Sequence, residues 1–590
     1  VRPGAASDGI EGKAYDARLM RRLLAYVAPY RWQVAAAVLL LLALTPLQLA
    51  GPWLIKTAID RNIRGGDLGG LGWTALLFTG VSGLVLAVRY VQMYLTAWVG
   101  QKAMLDLRLA VFTHVQRLPL AYFDRTPVGT LMTRVGSDVE VLHELFSAGV
   151  INVFGDAALL SGIVVMMLWL DWRLALVTFS VIPLLVWATL LFRARVRSNF
   201  RLIRQKVAAL SAHLQETVSG MPVVQLFGLE EENRRRYDRE NLDYQQAYLK
   251  TIFYYAVFFP AVEVIGSIGL ALIIWRGGGL AASGLLTLGA LVAFIEYTQR
   301  FMSPVQDLAE KYNILQSAMA ASERLFVLLD TPPQAEPERA VPIPAPAGRV
   351  VLDRVDFAYN PGEPVLRQVS FTVAPGERVA IVGATGAGKT SISSLITRLY
   401  EPTGGRIEVD GLDVRQWPLG ELRRRVGSIP QEVFLFPGDV IDNILPAGPR
   451  DRARAESILD ELGARGMFER LPAGLETPLR ERAAVLSTGQ RQILAFARAL
   501  AADPPVLLLD EATSAMDGET EERVQGAMRR LLAGRTALII AHRLSTIRDA
   551  DRIVVIHKGK IRETGTHREL LELQGIYWRL HRLQYAQAAP

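Results

Sequence analysis

The chain has 590 residues, 51% of them hydrophobic and 21% charged, and its 65 basic residues against 58 acidic ones give a formal charge of +7. Such a length suggests two to four domains, and a high apolar fraction beside an ordinary charged one fits a membrane part and a soluble part on one chain. The basic excess is too mild for the concentrated stripe of a nucleic-acid binder, so no nucleic-acid partner is expected, and the absence of cysteine excludes disulfides, thiol nucleophiles and thiolate metal sites.

In chain order, residues 1–17 read as a polar N-terminal tail with no secretory apolar region in Val1 to Lys13. Residues 32–55 are then apolar for more than 20 positions. At about 1.5 Å of rise per residue such a run crosses a hydrocarbon core of roughly 30 Å. Pro46 and Pro52 are tolerable there if neighbouring helices satisfy the freed backbone groups. Similar runs recur at 73–98, 148–170, 173–192, 251–275 and 285–305, which predicts six spans. Asp171, Trp172 and Arg173 predict a tight hairpin between the third and fourth.

Charge sets the orientation. Residues 193–250 hold 11 Lys and Arg against 7 Asp and Glu, and Arg18, Arg21, Arg22 and Arg31 precede the first span. Positive flanks place the N-terminus and the two long connections, second span to third and fourth to fifth, in the cytoplasm, and an even number of spans returns the chain there after residue 305. Residues 18–330 thus read as an all-α six-helix transmembrane domain with long cytoplasmic helical extensions. Arg89, Asp156, Glu263, Glu296 and Arg300 lie in or near the spans. They read either as cavity residues or as paired structural charges, since a lone charge in lipid costs several kcal/mol, on the order of 3.

Residues 331–347 carry Pro332, Pro333, Pro337, Pro342, Pro344 and Pro346, a density that excludes helix and predicts an extended linker. Strand alternation resumes at Val350 and opens an α/β domain over 348–580, followed by a tail at 581–590. Within it Val379 to Val382 form a buried-type strand directly before Gly383, Gly386, Gly388, Lys389, Thr390 and Ser391, a phosphate-binding loop in strand–loop–helix context. The glycines let backbone N–H groups approach phosphate oxygens at a helix N-terminus. Lys389 is expected to reach the β- and γ-phosphates of ATP and Thr390 to contribute a ligand to Mg2+. Farther on, the strand Val506 to Leu509 ends in Asp510 and Glu511. Asp510 suits magnesium and Glu511 suits the polarisation of an attacking water, although paired carboxylates can also simply end a strand.

These ordered elements resemble an ABC transporter of the exporter fold over nearly the whole chain. The resemblance implies that Tyr359 stacks on adenine, and that Gln431 senses γ-phosphate and the metal. Leu486 to Gln490, LSTGQ, is similar to the family signature, so Ser487, Thr488, Gly489 and Gln490 would close over ATP held by a partner. Ser514, Ala515, Met516 and Asp517 look like the loop linking the two sites, and His542 resembles the switch histidine. The segments near 122–130, with Phe123, Asp124, Pro127 and Gly129, and at 220–230 resemble the two coupling helices.

Thr488 stands where the signature usually has glycine. Its side chain is expected to narrow the space for γ-phosphate and to change the local backbone freedom. The segment ETPLRERAAV before it lacks the glycines common in the family. An altered signature beside an intact Glu511 is similar to the competent half of a heterodimer, which is favoured over a homodimer that has drifted at this position. The implied activity is ATP hydrolysis coupled to export of amphipathic drugs, lipids or peptides across a bacterial cytoplasmic membrane. An importer on the same fold, an ATP-gated channel and a non-pumping membrane regulator are the alternatives.

Overall fold

The computed structural model describes residues 16–337, 341–479, 485–510, 518–541 and 544–585. Its contacts divide the chain into two compact units, one of residues up to 113 with 129–330, the other of 114–128 with 331 onward.

The first unit is helical throughout its described residues. Five helical stretches are long and apolar enough to cross a membrane: Ala17–Ile63, Leu68–Val115, Val128–Leu170, Trp172–Ser219 and Glu230–Ala282. The run at 285–305 lies in a further long helix, Leu288–Leu329, which carries Glu296, Arg300, Asp307 and Lys311 among its apolar residues. The 53 residues of Glu230–Ala282 extend for about 80 Å, far beyond one hydrocarbon core. Asp16 starts the bundle by capping Ala17–Val27, its carboxylate accepting from Arg18 N at 2.8 Å.

The 173–192 run is not one continuous helix. Asp171 ends the preceding helix and caps Trp172–Phe179 through Leu174 N at 2.8 Å, and a second break at Ser180 and Val181 precedes Ile182–Ser219. Pro183 accounts for that break, because it has no N–H to donate back into the preceding turn. Pro52 has the same effect inside Arg31–Thr57, where it leaves Gln48 O without its helical donor. Arg300 Nη1 donates to Gln48 O at 2.9 Å, and Tyr297 Oη donates to the adjacent Leu49 O at 2.7 Å. A carbonyl freed by a proline in one membrane helix is thus satisfied by Arg300 of another.

Small residues bring the helices close together. A Cβ at Gly162 would stand 2.6 Å from Leu49 Cδ1, and one at Gly277 would stand 2.5 Å from Leu291 Cδ1. Asn199 bonds Ala247 O and Thr251 Oγ1, both at 2.6 Å, and so ties Ile182–Ser219 to Glu230–Ala282. Phe192 stacks on Phe258 along the same seam, with ring centroids 4.0 Å apart.

The second unit is built on two sheets. An antiparallel sheet has the order β2 (Pro364–Val373), β1 (Val350–Ala358), β4 (Gly404–Val409), β5 (Leu412–Asp413). The larger sheet runs β10 (Lys560–Gly565), β9 (Arg552–His557), β3 (Arg378–Val382), β8 (Thr536–Ile540), β7 (Val506–Asp510), β6 (Val426–Ile429). Its five strands from β9 to β6 are parallel, and β10 closes an edge antiparallel to β9. Strands β3, β7 and β8 read as continuous apolar runs because both faces are covered, each by its own hydrophobic cluster.

The proline-rich segment is extended but is pinned to its own unit: Gln334 N donates to Arg117 O at 2.8 Å, Arg398 Nη2 donates to Ala335 O at 2.9 Å, and Arg425 Nη2 donates to Pro344 O at 3.1 Å. The helix Ile576–Tyr585 runs past residue 580, anchored by Tyr577, which is buried and bonded to His567 Nδ1 at 2.6 Å.

Candidate nucleotide site

Ligands on a parallel sheet gather at the carboxyl ends of its strands, and the singled-out residues lie there. The phosphate loop follows β3, Gln431 lies two residues beyond β6, and Asp510 is the last residue of β7. Glu511, Ser514, Ala515, Met516, Asp517 and His542 lie outside the described residues, as do residues 480–484 of the segment before the signature.

The glycines of the loop have two distinct causes. A Cβ at Gly383 would stand 2.2 Å from Ile556 O on β9, so only glycine lets the chain leave β3 beside that strand. Gly388 has φ +97°, the left-handed turn that aims the helix Lys389–Ile396 at the loop. Gly386 also has positive φ. Lys389 Nζ donates to Gly383 O at 2.8 Å and to Ala384 O at 3.1 Å, so the ammonium is held across the loop. Burial pushes the Lys389 ammonium below the usual lysine range, and the Asp510 carboxylate opposes that shift. A phosphate chain there would supply the counter-charge that burial withholds.

Thr390 Oγ1 donates to Asp510 Oδ2 at 2.8 Å, which brings the two expected metal ligands to one point between β3 and β7. A hydroxyl and a carboxylate are hard oxygen donors of the kind magnesium takes beside phosphate oxygens, so the residues present fit that ion. Gln431 is exposed, and no hydrogen bond among the described residues joins it to Lys389, Thr390 or Asp510.

Tyr359 shares a hydrogen bond of 3.0 Å with Ser391 Oγ, which occupies the hydroxyl of a residue expected to face nucleotide. Its ring meets Phe357 and Tyr400 edge-on, with centroids 4.7 and 5.1 Å away. Tyr400 Oη in turn bonds the Asp124 carboxylate on the short helix Leu120–Arg125. Burial and then Asp124 push the Tyr400 phenol far above its usual range. A cavity of about 760 Å³ opens beside Tyr359, Tyr400, Asp124 and Glu401.

The signature lies at the start of the helix Thr488–Ala502. Ser487 caps it, Oγ accepting from Gln490 N at 3.2 Å while Gln490 Oε1 accepts from Ser487 N at 2.9 Å. Gly489 is buried, and Thr488 is exposed, its Oγ1 accepting from Arg491 Nη2 at 3.2 Å. The backbone at Thr488 is one that any residue adopts. Thr488 is the first residue of an ordinary helix and has no left-handed φ, so only the bulk of its side chain distinguishes it.

Two contributors were not legible in the sequence. Tyr400 is one aromatic among 17 tyrosines until the sheet brings it against Phe357 and Tyr359. Arg498 holds the segment after Gln431 to the signature helix, donating to Phe434 O at 3.1 Å and to Asn443 O at 3.0 Å. Its only sequence signal is a cation on the otherwise apolar run LAFARAL.

Residues 34–305 match the family described as ABC transporter transmembrane region, and residues 366–514 match the one described as ABC transporter. An uncharacterized ABC transporter ATP-binding protein of Bacillus subtilis is 37% identical over 99% of this chain and 97% of its own length. An ATP-dependent lipid A-core flippase of Thiobacillus denitrificans is 36% identical over 96% of this chain and 99% of its own. A fatty acid ABC transporter ATP-binding/permease protein of Mycobacterium bovis is 40% identical over 82% of this chain and 76% of its own. A solved structure of a bacterial Atm1-family ABC exporter with ATP bound superposes with a TM-score of 0.78 at 29% identity, covering 95% of this chain and all of the other.

Proposed function

The chain belongs to the ABC transporter family, and from that premise we propose that it is one half of an exporter that couples ATP hydrolysis to the movement of lipid-like or other amphipathic molecules. Leu288–Leu329 then holds the sixth span, and the nucleotide unit lies in the cytoplasm. The observation that carries the coupling is the contact of Tyr400 with Asp124. It ties the aromatic cluster around Tyr359 to the segment that joins the second and third membrane stretches.

In this reading Tyr359 stacks on the base, while the loop N–H groups and Lys389 neutralise the phosphates. Thr390, Asp510 and Gln431 would hold Mg2+, which when bound supplies charge neutralisation on the phosphate oxygens. Glu511 accepts a proton from the attacking water and His542 steadies the γ-phosphate. The signature helix of each chain closes over ATP held by the other, with Asp517 relaying between the two sites. Closure is passed to the membrane helices through the segments near 122–130 and 220–230. Val223, Leu226 and Phe227 in the latter are exposed, as a face awaiting a second chain would be. Thr488 beside Glu511 supports an unequal partner, so that the main hydrolytic site is built on this chain's own Glu511. The names of the flippase and the fatty acid transporter support a lipid-like passenger.

Glu511→Gln in the purified complex should lower ATP turnover at least about 100-fold while ATP still binds; near-normal turnover would contradict the role given to Glu511. Affinity purification without an added partner, followed by mass spectrometry, addresses the unequal half: recovery of this polypeptide alone would overturn it.

A further inference from the structure

Most charges in the membrane unit have partners in the chain itself. Asp156 pairs with Lys311, Glu296 Oε2 lies 3.7 Å from Arg300 Nε, and Arg300 also bonds Gln48 O. Glu263 and Arg89 differ: neither has a hydrogen bond or ion pair among the described residues, and Arg89 lines a cavity with Asp156, Arg300 and Lys311. Glu263 is exposed and lines a partly open cavity of about 310 Å³ between the third and fifth membrane stretches, the break before Pro183 and Leu288–Leu329. Among the described residues no lysine, arginine or histidine lines that cavity.

The rest of the wall suits a small amphiphile. Phe179 and Phe301 stand with ring centroids 6.4 Å apart, and Thr298 and Ser267 add hydroxyls to a mainly apolar surface. Gly266, three residues after Glu263, has no heavy atom within 4 Å of where a Cβ would stand, so the space beside the carboxylate is open. The size falls at the lower end of the range for drug-sized ligands, roughly 300–1,000 Å³. An ionised carboxylate in hydrocarbon needs a counter-charge, and aromatic ring faces attract cations. An anion would meet repulsion from Glu263 and no cationic donor.

We propose that this cavity is a binding site for a lipophilic cation, with Glu263 as counter-ion and Phe179 and Phe301 as its aromatic wall. That the bound cation is a passenger rests on the transport reading; that it binds does not.

The test is equilibrium binding of radiolabelled tetraphenylphosphonium to the full transporter in lipid nanodiscs, with tetraphenylborate and triphenylphosphine oxide as the anionic and neutral counterparts. The cation should bind more tightly than the anion. Glu263→Gln should weaken cation binding at least about tenfold and leave the neutral ligand little affected. Glu263→Asp should restore the preference, and Gly266→Leu should weaken cation and neutral ligand together. Equal affinity for tetraphenylborate, a smaller loss of cation binding with Glu263→Gln, or a loss with Glu263→Gln that is equal for cation and neutral ligand would overturn the proposal. ATP-driven movement of tetraphenylphosphonium into inside-out vesicles separates the two readings. Glu263-dependent binding without movement leaves the site standing and contradicts transport, whereas ATP-driven movement of other amphiphiles without such binding does the reverse.

Discussion

In the membrane unit Leu86 and Trp275 are 72% and 80% exposed, while Gln92, Thr96 and Asn199 are buried and hydrogen-bonded. In the nucleotide unit the order is reversed: β3, β7 and β8 bury almost every side chain, and the polar groups gather where those strands end. The difference follows from the solvent. Lipid gives helices no reason to hide apolar surface, so close packing, interhelical hydrogen bonds and repaired prolines hold that bundle. Water drives the sheet into a dry core, and chemistry is left to the rim.

The largest expected effect lies at that rim. Lys389→Ala should reduce ATP turnover by at least about 100-fold, and chelation of magnesium should do the same to the unaltered protein. Residual turnover near normal would remove the loop from the site.

Next is the link between the units' functions. Asp124→Asn should leave ATP binding intact but lower substrate-stimulated turnover by about 2- to 30-fold, the range for disrupted coupling contacts. A loss of ATP binding instead would make Asp124 a support for the Tyr359 cluster and not a relay.

The membrane side predicts a smaller graded pair. Arg300→Met strands Gln48 O, whose helical donor Pro52 removes, and should cost about 1–3 kcal/mol. Tyr297→Phe removes a bond to Leu49 O, which Pro52 leaves its helical donor, and should cost about 1 kcal/mol or less. Thermal denaturation in lipid nanodiscs measures both, and equal losses would show that Arg300 is not repairing the proline.

The smallest effect is a pH dependence of the nucleotide unit. Burial alone would raise the Glu377 carboxyl, but hydrogen bonds from Arg552 and Ala374 N outweigh it and hold the group below the usual carboxylate range. Asp551 is likewise raised by burial and brought below its range by the Arg378 backbone and side chain. Groups lowered on folding add stability above their unfolded values, near pH 4, and lose it as pH falls through the lower folded values. Glu377→Gln should flatten that acid loss, read as denaturation temperature from about pH 6 down to 3.

The sequence made the nucleotide unit easier to read than the membrane unit, for reasons visible at single residues. Gly383, Gly388, Lys389 and Thr390 form one local pattern, and the left-handed turn at Gly388 is a local need, although the strand that requires glycine at 383 is β9. Apolar runs marked membrane helices equally well, but the repair of Pro52 by Arg300 depends on a neighbour 252 positions from Gln48. Arg300 could be read as a cavity charge or a structural one, and it is both: it bonds Gln48 O and lines a cavity of about 790 Å³. Tyr400 and Arg498 were invisible for the same reason. At Thr488 the side chain alone departs from the family pattern, because the helical backbone there is one that any residue adopts.

The most direct test of the central claim is accumulation of a labelled amphiphile, tetraphenylphosphonium or a short-chain fluorescent phospholipid, in inside-out vesicles carrying the transporter. ATP-dependent uptake that disappears with Lys389→Ala is the predicted result. Equal uptake by Lys389→Ala, or an ATP-gated passive current in place of uphill accumulation, would contradict the account.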